Sequence, residues 1–388
     1  MTDARPSYSF DTPGSLLVDW GGARRLGPLL AESFAERRIL IVTDAFLHRN
    51  GLLDPAKASL QEAGFAVTVF DDVVADPPEA IVLACADMAR AASVDIVLGL
   101  GGGSSMDIAK LVAVMIRSDQ PLADLYGIGK VRGSRTPLVQ VPTTAGTGSE
   151  VTNITILTTG ETTKMGIVAP QLYADRVILD AELTVGLPPL QTAATGIDAM
   201  VHAIEAFTGR HRKNPLSDLF AKEALRLMAA NLLRACDTGT DRAAREAMLL
   251  GATLAGQAFS NSPVAAVHAL AYPLGGHYHL PHGLTNALML GPVLRHNMTA
   301  AAQHYAELAD VVLGTSGGDV AARAEAFVEF MDDLMTRSGA PRRLRDCKVA
   351  QDHLPVLAKD AMLQTRLLMN NPVEVTEADA LALYQAAY

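Results

Sequence analysis

The sequence predicts an α/β N-terminal domain built on a parallel, Rossmann-like sheet, followed by an all-α C-terminal domain. Three observations carry this. Short β-branched runs alternate with amphipathic stretches through the first half, strand-like runs all but vanish after about Gln191, and paired prolines mark the seam. A chain of 388 residues also exceeds one ordinary core, so two domains are expected. The boundary falls within GLPPLQTAATG (Gly186 to Gly196), giving domains 1–188 and 189–388.

Buried-strand patterns read at Arg37 to Asp44 (RRILIVTD), Phe65 to Phe70 (FAVTVF) and Val94 to Leu100 (VDIVLGL), with later ones at Leu138 to Thr144 and Asp175 to Asp180. Helical segments lie between them, at Pro55 to Ala63 and Pro78 to Ala91. Strand–helix–strand alternation at this spacing implies parallel strands covered on both faces. In the second half, Leu216 to Ala235 repeats apolar residues three and four apart, as an amphipathic helix does.

Composition narrows the function. With 49% hydrophobic and 19% charged residues the chain is globular, and 32 basic against 42 acidic residues give a net charge of −10. No long basic run invites nucleic acid or an anionic membrane, so a small-molecule substrate is expected. Cys85, Cys236 and Cys347 are too few and scattered for a disulfide framework, which suggests a reducing compartment. The polar, proline-broken start and the lack of any run of about 18 apolar residues argue against a signal peptide or membrane span. A cytoplasmic protein, working as a homodimer or higher homo-oligomer, is expected.

Leu98 to Lys110 reads LGLGGGSSMDIAK, a strand running through Gly101, Gly102 and Gly103 into a helix opened by Ser104. Glycines let backbone approach a ligand closely, and free N–H groups at a helix start face an anion with the helix dipole behind them. A plain strand-to-helix turn is the alternative, since the run is not GxGxxG. Asp107 is expected in the first helical turn. Asp44, closing a strand, can accept hydrogen bonds from a ribose diol and repel a 2′-phosphate, or simply cap a helix. Thr143, Thr144, Thr147 and Ser149 lie in a loop that can offer hydroxyls and N–H groups to a cofactor.

Asp198 and His202 stand four residues apart in TGIDAMVHAIEAF, on one face of an expected helix. Within an apolar stripe they must be paired with each other or with a metal. Four of the ten histidines then fall within Val267 to Gly283, namely His268, His277, His279 and His282. One carboxylate and three imidazoles suit Fe²⁺ or Zn²⁺ with a coordination position left open. Such a metal lowers the pKa of a bound alcohol, from which hydride can then leave.

These motifs resemble the iron-containing (group III) alcohol dehydrogenase family along nearly the whole chain. The resemblance rests on GGGSSMD at Gly101 to Asp107, PTTAGTGSEVT at Pro142 to Thr152, GIDAMVHAIEAF at Gly196 to Phe207, and HALAYPLGG with PHG at His268 to Gly283. It implies a dehydroquinate synthase-like architecture and an NAD-linked, metal-dependent interconversion of primary alcohols and aldehydes in a cleft between the domains. Asp198, His202, His268 and His282 would be the metal ligands. Gly101, Gly102, Gly103, Ser104 and Asp107 would cradle pyrophosphate, and Asp44 would set the preference for NAD. Thr143, Thr144, Thr147, Lys164 and Leu183 would complete the cofactor contacts. Some members carry a proton-relaying histidine four residues after the third ligand, and here that position is Tyr272. The nearby His277, turned inward by Gly275 and Gly276, is expected to take over.

Rival readings are a dehydroquinate synthase-like lyase, a maleylacetate reductase-like enzyme acting on an acidic substrate, and a metal-dependent hydrolase. An acidic substrate needs basic residues near the histidines, and few are visible there in the sequence. A hydrolase leaves the glycine turn without a task.

Overall fold

The computed structural model describes residues 7–160, 163–314 and 317–388. Nine strands are found among them: β1 (Leu16–Val18), β2 (Arg38–Asp44), β3 (Ala66–Val73), β4 (Ile96–Gly101), β5 (Gly127–Ile128), β6 (Leu138–Pro142), β7 (Ile154–Thr159), β8 (Thr163–Val168) and β9 (Arg176–Leu179). The helices of the first half are α1 (Leu26–Ala31), α2 (Ala45–Arg49), α3 (Asp54–Glu62), α4 (Glu79–Ala91) and α5 (Gly103–Met115). The second half is helical throughout its described residues. It comprises α6 (Pro189–Thr208), α7 (Pro215–Asp237), α8 (Arg242–Asn261), α9 (Ala266–Tyr278), α10 (His282–Leu313), α11 (Val320–Arg337), α12 (Leu354–Ala361), α13 (Thr365–Leu368) and α14 (Glu377–Ala386), with short 3-10 turns.

Six strands form a sheet in the order β1-β9-β6-β4-β2-β3, and every pairing in it is parallel. Alternation along the strands fills both faces. Leu40 and Val42 of β2 join the larger core with α4 and α5, while Ile39 and Ile41 face α1 and α3. The chain steps from β2 outward to β3 and then returns to the other side of β2 for β4. The strand order therefore reverses at this point, where a crevice opens beyond the carboxyl ends of β2 and β4. Those ends are Asp44 and Gly101.

A second sheet, β5-β8-β7, did not announce itself in the sequence. Its β7–β8 hairpin is antiparallel and is rich in threonine, with a weak hydrophobic pattern. This hairpin brings Lys164 against α9, where a Cβ on Gly275 would stand 3.2 Å from Lys164 Nζ.

Helix α6 is buried along almost its whole length, from Gly196 to Thr208 on every side, by α7, α8 and α10. Two glycines bring other segments close. A Cβ on Gly283 would lie 2.3 Å from the Ala194 carbonyl oxygen, so the first turn of α10 rests directly on α6. Gly148 has a left-handed φ of +60°, and a Cβ there would stand 2.6 Å from Gly256 Cα, which fixes the threonine-rich loop against α8.

Gly148→Ala is expected to cost about 2–4 kcal/mol, combining left-handed strain with overpacking. Gly64→Ala, where φ is +84° but nothing lies within 4 Å, should cost only about 1–2 kcal/mol. Thermal and urea unfolding of the two variants measure the difference, and equal losses would mean that the loop yields freely.

Candidate metal centre and cofactor cleft

Asp198 and His202 project from one face of α6, His268 from the first turn of α9, and His282 opens α10 immediately after Pro281. One donor atom from each of the four lies within 4.8 Å of all the others. Asp198 Oδ1 is 3.8 Å from His202 Nε2, 3.8 Å from His268 Nε2 and 3.6 Å from His282 Nε2. Burial pushes His202 down to about 3 and His282 to about 4, so both imidazoles are neutral near pH 7 with lone pairs available. One carboxylate and three imidazoles form a donor set that fits a divalent metal.

Two residues that the sequence reading did not single out hold this cluster in place. Glu205, on α6 one turn beyond His202, accepts from the backbone N–H of Ala265 at 2.9 Å and of Val267 at 2.7 Å. It also pairs with His268 Nδ1 at 2.7 Å, which turns Nε2 of that ring toward the cluster. Asn286, one turn after His282, donates from Nδ2 to Asp198 Oδ1 at 2.5 Å and lies 3.1 Å from His268 Nε2. Spacing held a signal for both, at three residues from His202 and four from His282. His202 is fixed by stacking, 4.3 Å from the Phe259 ring and 4.7 Å from His268.

The cluster opens onto a cleft lined by both halves of the chain, from Gly103, Ser104 and Thr147 to Lys164, Tyr272 and Arg366. Helix α5 starts at Gly103 with no side-chain cap, which leaves its first N–H groups free at that end. Thr143 N–H donates to the Gly101 carbonyl at 2.9 Å. Thr144 packs beside Gly102, and Thr147 beside Gly103, where a Cβ would stand 2.8 Å from the threonine methyl. Asp44 caps α2 through Oδ1, which accepts from Leu47 N–H at 3.0 Å, and Leu47 lies beside Gly101. Both expected roles of Asp44 therefore remain compatible, since the cap uses one oxygen.

The first-turn position expected for Asp107 is not observed. Asp107 is the fifth residue of α5, in its second turn, and its carboxylate is occupied: Oδ1 accepts from Ser149 Oγ at 2.5 Å and Oδ2 from Ile156 N–H at 3.0 Å. It braces the threonine-rich loop from beneath, with buried Lys110 3.6 Å away. Leu183 sits in a 3-10 turn, Ala181–Thr184, and packs on the α1–α3 side of the sheet. Lys164 lies in the cleft with Nζ bonded to Asp76 Oδ1 at 2.6 Å.

His277 is not turned inward. Gly275 and Gly276 continue α9 as ordinary helix, and the ring points toward α12, where Nε2 bonds Asp360 Oδ2 at 2.7 Å. It does not line the cleft, because five residues beyond Tyr272, at 3.6 residues per turn, place it about 140° around the helix from that side chain. His279 ends α9 in a left-handed conformation, exposed to solvent. Tyr272 does line the cleft, 5.9 Å from the His282 ring, and burial raises its hydroxyl above the ordinary phenol range. A paucity of basic groups near the histidines, expected from the sequence, is also corrected, because folding carries Lys164 and Arg366 into the cleft from distant segments.

A parallel-sheet domain with a free helix N-terminus at its switch point, facing a buried Asp-His₃ cluster on a helical domain, defines a two-domain oxidoreductase. The chain belongs to the iron-containing alcohol dehydrogenase family: the model for "Iron-containing alcohol dehydrogenase" matches residues 13–181, and that for "Fe-containing alcohol dehydrogenase family, C-terminal" matches 192–388. Long-chain-alcohol dehydrogenase 1 of Geobacillus thermodenitrificans is 40% identical over 96% of this chain and 94% of its own. The crystal structure of a 1,3-propanediol oxidoreductase superposes with a TM-score of 0.94 at 33% identity, covering 99% of this chain and 100% of that one. A sulfoacetaldehyde reductase from Bifidobacterium kashiwanohense, solved in complex with NAD⁺, gives 0.87 at 30% identity over 98% and 99% of the two chains.

Glu205→Ala is expected to loosen His268 and to lower metal affinity about 10- to 100-fold. Competition against a chromogenic chelator measures this. Unchanged affinity would show that packing alone holds the ring.

Proposed function

We propose that this chain interconverts a primary alcohol and its aldehyde with NAD(H), using a divalent metal held by Asp198, His202, His268 and His282. The observation that carries the reading is the convergence of those four donor atoms within 4.8 Å, on the same cleft as Gly103, Ser104 and Thr147. Fe²⁺ is the metal that the family description favours, and the imidazole and carboxylate donors also accept Zn²⁺. When bound, the metal supplies Lewis acidity toward the substrate oxygen.

The protein's own groups do the rest. The start of α5, with Gly101, Gly102, Gly103 and Ser104, takes the pyrophosphate, and Thr143, Thr144 and Thr147 flank the nicotinamide end. Asp44 accepts from the adenine-side ribose diol with the oxygen not used in its cap. Phe259, Val264 and Tyr272 shield the reacting carbon from bulk water. In oxidation, hydride passes from the carbinol carbon to the nicotinamide, and the hydroxyl proton leaves to solvent. Among the described residues no histidine other than the three of the cluster lines the cleft, so the proton route through His277 is withdrawn.

An enzyme acting on an acidic substrate, as in the maleylacetate reductase-like or dehydroquinate synthase-like readings, is the second possibility, favoured by Arg366 and Lys164 in the cleft. The cytoplasmic location and homo-oligomeric state expected from the sequence belong to this proposal too. Cys85, Cys236 and Cys347 are free, no helix of the described residues is long and apolar enough to cross a membrane, and edge strand β1 exposes Leu16 and Val18 for pairing with a second copy.

His268→Ala and His282→Ala should each abolish turnover and lower metal content while NADH binding, read by fluorescence, persists. Full activity in a metal-free His282→Ala protein would overturn the assignment. Asp44→Gly should raise NADPH use relative to NADH by about tenfold to a hundredfold, as repulsion of the 2′-phosphate is relieved. A wild-type enzyme that already prefers NADPH would refute that role.

A further inference from the structure

Five charged side chains of the Asp, Lys and Arg types line the cleft: Asp76, Asp107, Lys164, Asp198 and Arg366. Four of them are matched within the protein. Asp76 and Lys164 pair with each other at 2.6 Å, Asp107 is hydrogen-bonded by Ser149 and Ile156, and Asp198 belongs to the metal cluster. Arg366 alone has no protein acceptor for its guanidinium among the described residues; the one recorded hydrogen bond at this residue is made by its backbone carbonyl. It arises from α13 of the helical half and reaches across to the β7–β8 hairpin. There Nη2 stands 3.5 Å from where a Cβ on Gly166 would lie.

Lys164 and Gly166 are two residues apart on β8 and share a face, so both cations border the same part of the cleft. The charge of Lys164 is already answered by Asp76. That of Arg366 is not, and at Gly166 no side chain stands against it. Phe259, Val264 and Tyr272 provide an apolar wall in the same cleft as the Asp-His₃ cluster. A short molecule with a carbonyl at one end can thus meet the cluster there and place its other end against a planar fork of donors.

We propose that Arg366 is a specificity-determining residue that recognises an anionic group, a carboxylate or sulfonate, at the far end of a short aldehyde or alcohol. This rests on the dehydrogenase reading and adds the substrate class to it. The chemistry is that of reduction in which hydride moves from NADH to the aldehyde carbon, a solvent proton goes to its oxygen, and NAD⁺ is released. The anionic end is unchanged.

The test compares succinate semialdehyde and sulfoacetaldehyde with butanal and propanal, with NADH, on the metal-loaded wild type and on Arg366→Gln and Arg366→Lys. The wild type should favour an anionic aldehyde in kcat/KM, and the semialdehyde and sulfoacetaldehyde arms tell carboxylate from sulfonate. Arg366→Gln should lower the anionic-to-neutral ratio of kcat/KM about 10- to 100-fold, mainly through KM, with partial rescue in Arg366→Lys. Calorimetric binding of unreactive succinate to the NADH complex should weaken in parallel. A wild type that prefers the neutral aldehydes overturns the proposal. So does an Arg366→Gln protein that loses both kinds of aldehyde alike together with NADH affinity, which would place the guanidinium on the cofactor. If no aldehyde is reduced, the dehydrogenase reading falls, and succinate binding still decides for or against Arg366.

Discussion

Helix α6 carries Asp198, His202 and Glu205 through an interior closed on all sides, and this one constraint organises the catalytic half. Burying an uncompensated carboxylate costs several kcal/mol even after relaxation, so each must be met by donors brought from elsewhere. Glu205 is met by two backbone N–H groups and the His268 ring, which ties the start of α9 to α6. Asp198 is met by Asn286, which ties in α10, and the missing side chain of Gly283 lets that helix lie close enough. The buried anions thereby fix three helices in the arrangement that gathers three imidazoles at one point.

The other half solves a different problem with a different device. A parallel sheet leaves a crevice where its strand order reverses, and the uncapped start of α5 supplies donors there. Asp107 and Lys110 lie just below and bond the threonine-rich loop at Ser149 and Thr152. Gly148 then presses that loop onto α8. The same loop therefore borders the crevice at the start of α5 and touches the helical half, on the cleft that holds the Asp-His₃ cluster.

Lysine and arginine enter the cleft only from the β7–β8 hairpin and α13 among the described residues, and neither segment carries a chemical motif. The hairpin presents Lys164 already neutralised, whereas α13 presents Arg366 with its donors open to the cleft. The pocket is thus apolar near the imidazoles, at Phe259, Val264 and Tyr272, and cationic at Arg366.

Periodicity and motif spacing sufficed for much of this. The strands at Arg38–Asp44 and Ile96–Gly101, the glycine turn, and the helix of Asp198 and His202 were all legible, because each depends on residues within a turn or two of one another. Tertiary structure alone decided the rest. His277 and His282 are five residues apart and both were expected in the cleft, one as proton relay and one as metal ligand, yet helix continuity through Gly275 and Gly276 sends the first to Asp360, while the restart at Pro281 sends the second to the Asp-His₃ cluster. Asp107 bonds Ser149 and Ile156, partners more than forty residues away that no local pattern announces. Arg366 gave no local signal at all. Its place in the cleft is set by how α13 packs across the hairpin, and long-range packing leaves no period in the sequence to read.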